Sequence, residues 1–145
     1  MADTITSLIT YVHGALVGDT ALKAAMGGTV TVKPSWQPPD TPKPYIVQMV
    51  DLRATDAPFP LNSGALTLHL WDESPNATRI LEMRERCVIL FDASDIQTAD
   101  VISCRINLQG DGMIPDEPGI WHYVLMFSLR LYKSGEARQV LEARA

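Results

Sequence analysis

The passage from Leu66 to Phe91 constrains the fold of this chain more than any other. Leu66-Thr67-Leu68-His69-Leu70-Trp71-Asp72 alternates with period two, as a strand with one face on a core does. The alternation stops at Glu73-Ser74-Pro75, a helix-start signal. Here Ser74 serves as N-cap and Pro75 as first helical residue, where its missing N–H costs nothing. On a helical wheel, Ala77, Ile80, Leu81, Cys87, Val88 and Phe91 then form one broad apolar face. Glu82 and Arg86 stand at i,i+4 spacing and read as a surface ion pair. A strand that hands over directly to a helix, with strand patterns on both sides, commits the chain to mixed architecture.

Upstream, Ile5, Leu8, Ile9, Val12 and Leu16 recur at helical spacing, with Asp3 or Thr4 as N-cap and Gly18 as the stop. Asp19 caps a short turn carrying Leu22, Ala25 and Met26, and Val30 and Val32 suit a short strand. Residues 33–44 contain Pro34, Pro38, Pro39, Pro42 and Pro44, which forbid a helix and remove ladder donors. They read as an extended arm. Tyr45 to Arg53 alternates with two fairly apolar faces, so this strand is covered at least in part on both sides. It should pair antiparallel with the strand from Gly64 to Asp72.

Downstream, Asp92 to Asp100 reads as a polar connection, and Val101 to Leu108 alternates with Ile102, Cys104, Ile106 and Leu108 inward. Gln109 to Pro118 reads as a long acidic hairpin tip. Ile120 to Tyr132 is the longest strand, with Trp121, Tyr123, Leu125, Phe127, Leu129 and Leu131 on one face and His122, Ser128 and Arg130 on the other. It outruns its expected neighbour, which leaves backbone groups for a longer hairpin or another chain. Residues 134–145 form a polar tail. The expected fold is α+β: a four-stranded antiparallel sheet with helices packed on one face, in the order helix, hairpin, helix, hairpin. The chain, residues 1–145, is expected to be a single domain.

The chemistry of a catalytic site is missing from the sequence. His13, His69 and His122 lack the spacing of a metal site, and no Gly-rich phosphate loop or nucleophile elbow occurs. Cys87 and Cys104 fall on inward faces and read as small apolar core residues. No cofactor and no metal are expected, nor is enzymatic activity. A net charge of -5 with scattered basic residues argues against a nucleic-acid surface. No run approaches the ~18 apolar residues of a transmembrane helix, and the first residues lack the positive start of an export signal. The expected partners are therefore proteins.

Candidate contact residues follow from apolar side chains in places that usually carry polar ones. Phe59 and Leu61 stand at the tip of the Pro58-Phe59-Pro60-Leu61 loop, and Met83, Ile89 and Leu90 fall outside the core stripe of the long helix. Asp111 and Met113 occupy the acidic hairpin tip. Arg84, in contrast, points into that stripe and reads as a snorkelling side chain.

Together these features resemble the tail-terminator, or tail-completion, proteins of long-tailed bacteriophages and gene transfer agents. The resemblance rests on the amphipathic start Ile5 to Val17 followed by Leu22-Lys23-Ala24-Ala25-Met26, and on the proline-led Pro44-Tyr45-Ile46-Val47 strand. It rests also on the Leu66 to Phe91 passage and the long final strand, and spans about residues 5–133. It implies a structural virion protein that forms a ring, commonly six-fold, caps the tail tube, ends its polymerisation and offers the surface that joins the head. It implies as partners further copies of the chain, the major tail tube protein and a head-completion protein, with assembly in the host cytoplasm at the head-proximal end of the tail. The proline-rich arm departs from the family pattern. Two alternatives stand beside this reading: another head–tail connector component, and a small-ligand-binding α+β domain using His69, Trp71 and His122 on the outer sheet face.

Overall fold

The computed structural model describes residues 4–54, 61–97 and 101–133. Helix α1 (Thr4–Gly18) buries Leu8, Val12 and Leu16, one residue per turn, against the sheet and the other helices. Helix α2 (Thr20–Ala25) starts where Asp19 Oδ2 accepts the Leu22 N–H at 2.9 Å. The same carboxylate receives both arms of the Arg86 guanidinium, at 3.0 and 2.9 Å. That fork, against the opposing effect of burial, holds Asp19 below the usual carboxylate range. Arg86 thus pairs across helices rather than with Glu82 on its own helix.

Six strands follow: β1 (Val32–Lys33), β2 (Tyr45–Ala54), β3 (Leu61–Glu73), β4 (Ser94–Ile96), β5 (Val101–Ile114) and β6 (Ile120–Lys133), with α3 (Thr78–Phe91) between β3 and β4. They form one sheet in the order β1-β2-β3-β6-β5-β4. Only β1 and β2 run parallel, so the sheet is mixed, and it curls into a half-barrel. This overturns the expected four-stranded antiparallel sheet with its helix, hairpin, helix, hairpin order. Strands β1 and β4 span two and three residues, too short for period-two alternation to register. Strand β4 lies within the segment expected to be a polar connection. Both are edge strands, and each covers only part of the longer strand behind it, β2 or β5.

Strand β5 also runs on through Gln109 to Ile114, where a hairpin tip was expected, with register irregularities at Val101/Ser103 and Leu108/Gly110. Gly110 and Gly112 act there as strand residues beside an irregular pairing rather than as breakers. As a result β6 is paired along its length with β3 on one side and β5 on the other, and the surplus expected of it does not exist. Gly64 sits opposite Leu52, and a β-carbon there would lie 2.1 Å from the Asp51 carbonyl oxygen. Only glycine allows β2 and β3 to approach so closely at that pair.

The inner face of the sheet carries Ile46, Leu66, Leu68, Leu70, Leu125, Phe127, Leu129 and Leu131, all buried under the helices. From α3, Ile80, Met83, Cys87 and Phe91 complete the core, and Phe91 meets Phe127 edge to face at 6.0 Å. Met83 is therefore a core residue, 0% exposed, and not a contact residue on the outside. At 100° per residue it lies about 60° from Ile80, within an ordinary apolar stripe. Leu81, about 100° away on the other side, is largely exposed instead.

The start of α3 also differs from expectation. Its first residue is Thr78, not Pro75, and Asn76 Oδ1 accepts the Thr78 N–H at 3.0 Å. The single O–H of Ser74 is shared between the Asn76 carbonyl at 2.6 Å and Asp72 Oδ2 at 3.1 Å. Asp72 is fully buried and takes Arg79 at 2.8 Å. The Ser74 N–H donates to the Gly119 carbonyl, while Trp121 Nε1 donates to the Ser74 carbonyl, both at 3.0 Å. The strand-to-helix passage is thus fastened to the β5–β6 turn.

Candidate functional site

Across an antiparallel sheet, residues directly opposite each other share a face. The register therefore assembles a row on the outer face from four strands: Tyr45, Trp71, His122 and Ile114. The next row on that face is Val47, His69, Val124 and Gly112. His69 and His122 are diagonal neighbours between these rows, with His69 Nδ1 and His122 Nε2 at 2.9 Å. Trp71 stacks on His122, centroids 3.8 Å apart and rings 12° from parallel, and Tyr45 lies nearly parallel to Trp71 at 6.1 Å.

The proline-rich arm covers this cluster. Its turn is held locally, with the Thr41 N–H donating to the Pro38 carbonyl and Lys43 Nζ to the carbonyls of Pro39 and Thr41. Trp36 reaches from the arm to 4.6 Å from His69, 6.0 Å from His122 and 6.2 Å from Trp71, measured between ring centroids. His69, Trp71 and His122, named as candidates on the outer face, are brought together in this way. The sequence reasoning missed Trp36. Its signal was a large aromatic inside a proline-rich loop, which needs a surface to lie on.

Burial pushes both imidazoles toward the neutral form. His122 falls to about 4, because it is desolvated and because His69 stands beside it, while Asp116 pulls the other way. His69 is lowered by burial. Tyr45 is raised, first by burial and then by the charge of Asp116. A neutral pair in contact needs one ring nitrogen to donate and the other to accept, so each fixes the tautomer of the other. Trp71 Nε1 is buried with no acceptor among the described residues. Beside the cluster lies a cleft of about 370 Å³, lined by Trp36, Tyr45, Trp71, Lys43, Asp116 and Glu117 among others. Among the described residues no group of three or more His, Cys, Asp or Glu is placed to hold a metal ion.

The candidate contact residues scatter. Phe59 lies outside the described residues, as does the side chain of Leu61, although Leu61 opens β3. Ile89 stands out from α3, 57% exposed, whereas Leu90 is half-buried and packs against the core. Met113 is 37% exposed beside Ile114 near the end of β5. Asp111 is engaged within the chain: it accepts from the Tyr123 hydroxyl and pairs with Arg84 at 2.9 Å. These two donors, Tyr123 first, hold it below the usual carboxylate range against burial. Arg84 therefore escapes the core stripe sideways to an acid on β5. Cys87 and Cys104 are both buried free thiols, pushed up by burial to about 12 and about 11.

A scan of protein-family models returns no match for the chain, and a search of curated proteins returns none. Among solved structures, the fold is similar to that of a chain in the "Virion of native gene transfer agent (GTA) particle". The TM-score is 0.68 at 12% sequence identity, and the match covers 85% of this chain and 92% of that one.

Proposed function

We propose that this chain is a structural virion protein that closes the head-proximal end of a tail tube as a ring. The observation that carries the reading is the fold match to a chain of a gene transfer agent particle, which spans nearly the whole length of both chains. The resemblance to tail-terminator proteins, drawn from the sequence alone, points to the same kind of particle. In this reading the chain is not an enzyme. Its partners are further copies of itself, commonly six to a ring, the major tail tube protein and a head-completion protein.

Two features of the surface support an assembly role. Ile89 on α3 and the Met113-Ile114 pair on β5 are apolar and solvent-facing, places where contact with another chain removes apolar area from water. Strand β4 covers β5 only from Cys104 to Ile106, so among the described residues the β5 edge from Asn107 to Ile114 has no strand partner on that side and offers a second place for another chain. Deleting the gene and measuring particles by negative-stain microscopy tests the proposal. Overlong tails without heads are expected; tails of normal length on filled heads would contradict it. Normal tails lacking heads would favour a connector role over termination.

A further inference from the structure

The cleft beneath the proline arm has the composition of a cation receptor. Trp36, Tyr45 and Trp71 are among its lining residues, with Asp116 and Glu117 exposed beside them; Trp36 is the open ring, whereas Tyr45 is buried and Trp71 is stacked on His122. Aromatic faces attract cations through their quadrupole, and Trp does so best. Four carboxylates elsewhere in the fold, Asp19, Asp72, Asp95 and Asp111, each hold an arginine. Asp116 and Glu117 have no ion-pair partner among the described residues. Lys43, the one cationic lining residue, turns its ammonium back to the carbonyls of Pro39 at 3.0 Å and Thr41 at 3.4 Å. Asp116 is also near enough to act on both Tyr45 and His122, so its field reaches the aromatic lining.

We propose that this cleft binds the side-chain guanidinium of an arginine carried by a neighbouring protein chain, held between its aromatic lining and the carboxylates of Asp116 and Glu117, of which Asp116 keeps Oδ1 on the Glu117 N–H at 2.7 Å. A guanidinium suits the site better than a compact ammonium. It is flat, stacks on aromatic rings, and can offer paired N–H donors to a carboxylate while shedding little hydration. A neutral ligand of the same shape would gain the stacking and forfeit the charge. The proposal rests on the virion reading only for the source of the arginine. Occupancy of the cleft can be measured on the dissolved chain without any assembly, so the two readings fail separately.

The test is a tryptophan-fluorescence titration of the full chain with N-acetyl-arginine amide and with the isosteric neutral N-acetyl-citrulline amide. The arginine probe is expected to saturate, with the citrulline probe about tenfold weaker and the arginine response weakening as salt is raised. Asp116→Asn combined with Glu117→Gln is expected to weaken the arginine probe by about fivefold or more while leaving the melting temperature in place, since both side chains are exposed. Trp36→Ala is expected to remove most of the response. Equal binding of the two probes, no response to the arginine probe, or indifference to the paired Asp116 and Glu117 changes would overturn the proposal.

Discussion

The two faces of the sheet are built on different principles. The inner face is largely aliphatic and follows directly from local pattern: Leu66, Leu68 and Leu70 of β3 and Leu125, Phe127, Leu129 and Leu131 of β6 share one core with the stripes of α1 and α3. One end of the outer face is aromatic and imidazole-bearing, and it closes only because a segment far away in sequence lays Trp36 over it. The other end, around Met49 and Met126, stays open to solvent. The inner face supplies stability through sheer apolar burial. The covered outer patch adds less area and gathers titratable groups, a cleft and unpaired charge, which are the means of recognition.

Truncating Phe127, which is buried against Phe91, should give the largest effect. Phe127→Ala is expected to cost about 3–5 kcal/mol in denaturant unfolding, against well under half of that for outer-face Met126→Ala. A similar cost at both positions would erase the distinction between the faces. Asp72→Ala comes next, since it removes the buried acceptor that fastens Arg79 and Ser74 at the start of α3. Arg79 is partly open to solvent, so screening keeps the expected loss to roughly 2 kcal/mol.

Removing the cover should cost less and change pH dependence more. Trp36 is 55% exposed, so Trp36→Ala is expected to cost only about 1 kcal/mol. In the native protein His122 titrates at about 4, against 6.5 for an unperturbed imidazole. Between those values the unfolded chain binds more protons than the folded one. The stability contributed by the neutral pair is therefore complete above pH of about 6.5 and is lost as pH falls toward about 4. Trp36→Ala admits water, brings His122 back toward its ordinary value and flattens that loss. An unchanged slope of stability against pH would show that the arm does not control the pair. Smallest in stability is Ile89→Asp, expected within about 0.5 kcal/mol of the parent. Its effect belongs in assembly, where a drop in incorporation into particles is expected.

The inner face was largely legible before the structure, because period-two and helical repeats are local. The alternation of Leu66, Leu68 and Leu70, the stop at Gly18 and the cap at Asp19 all lie where the pattern put them. Errors arose where the signal was short or its centre ambiguous. Strands β1 and β4 have too few residues to alternate, and the segment holding Gly110 and Gly112 reads as a hairpin tip although the strand continues through it to Ile114. Met83 was excluded from the stripe because Leu81 and Val88 pulled its assumed centre round the helix. Of the outer patch, His69, Trp71 and His122 could be placed on one side of the sheet. Their contact with Trp36 could not, since nothing local says where a proline-rich arm comes to rest.

Electron cryomicroscopy of the intact particle tests the central claim most directly. The account predicts density fitting this fold in a closed ring, commonly of six copies, between the last ring of the tail tube and the head. Density for this fold elsewhere in the particle, or particles that contain none of it, would contradict the account.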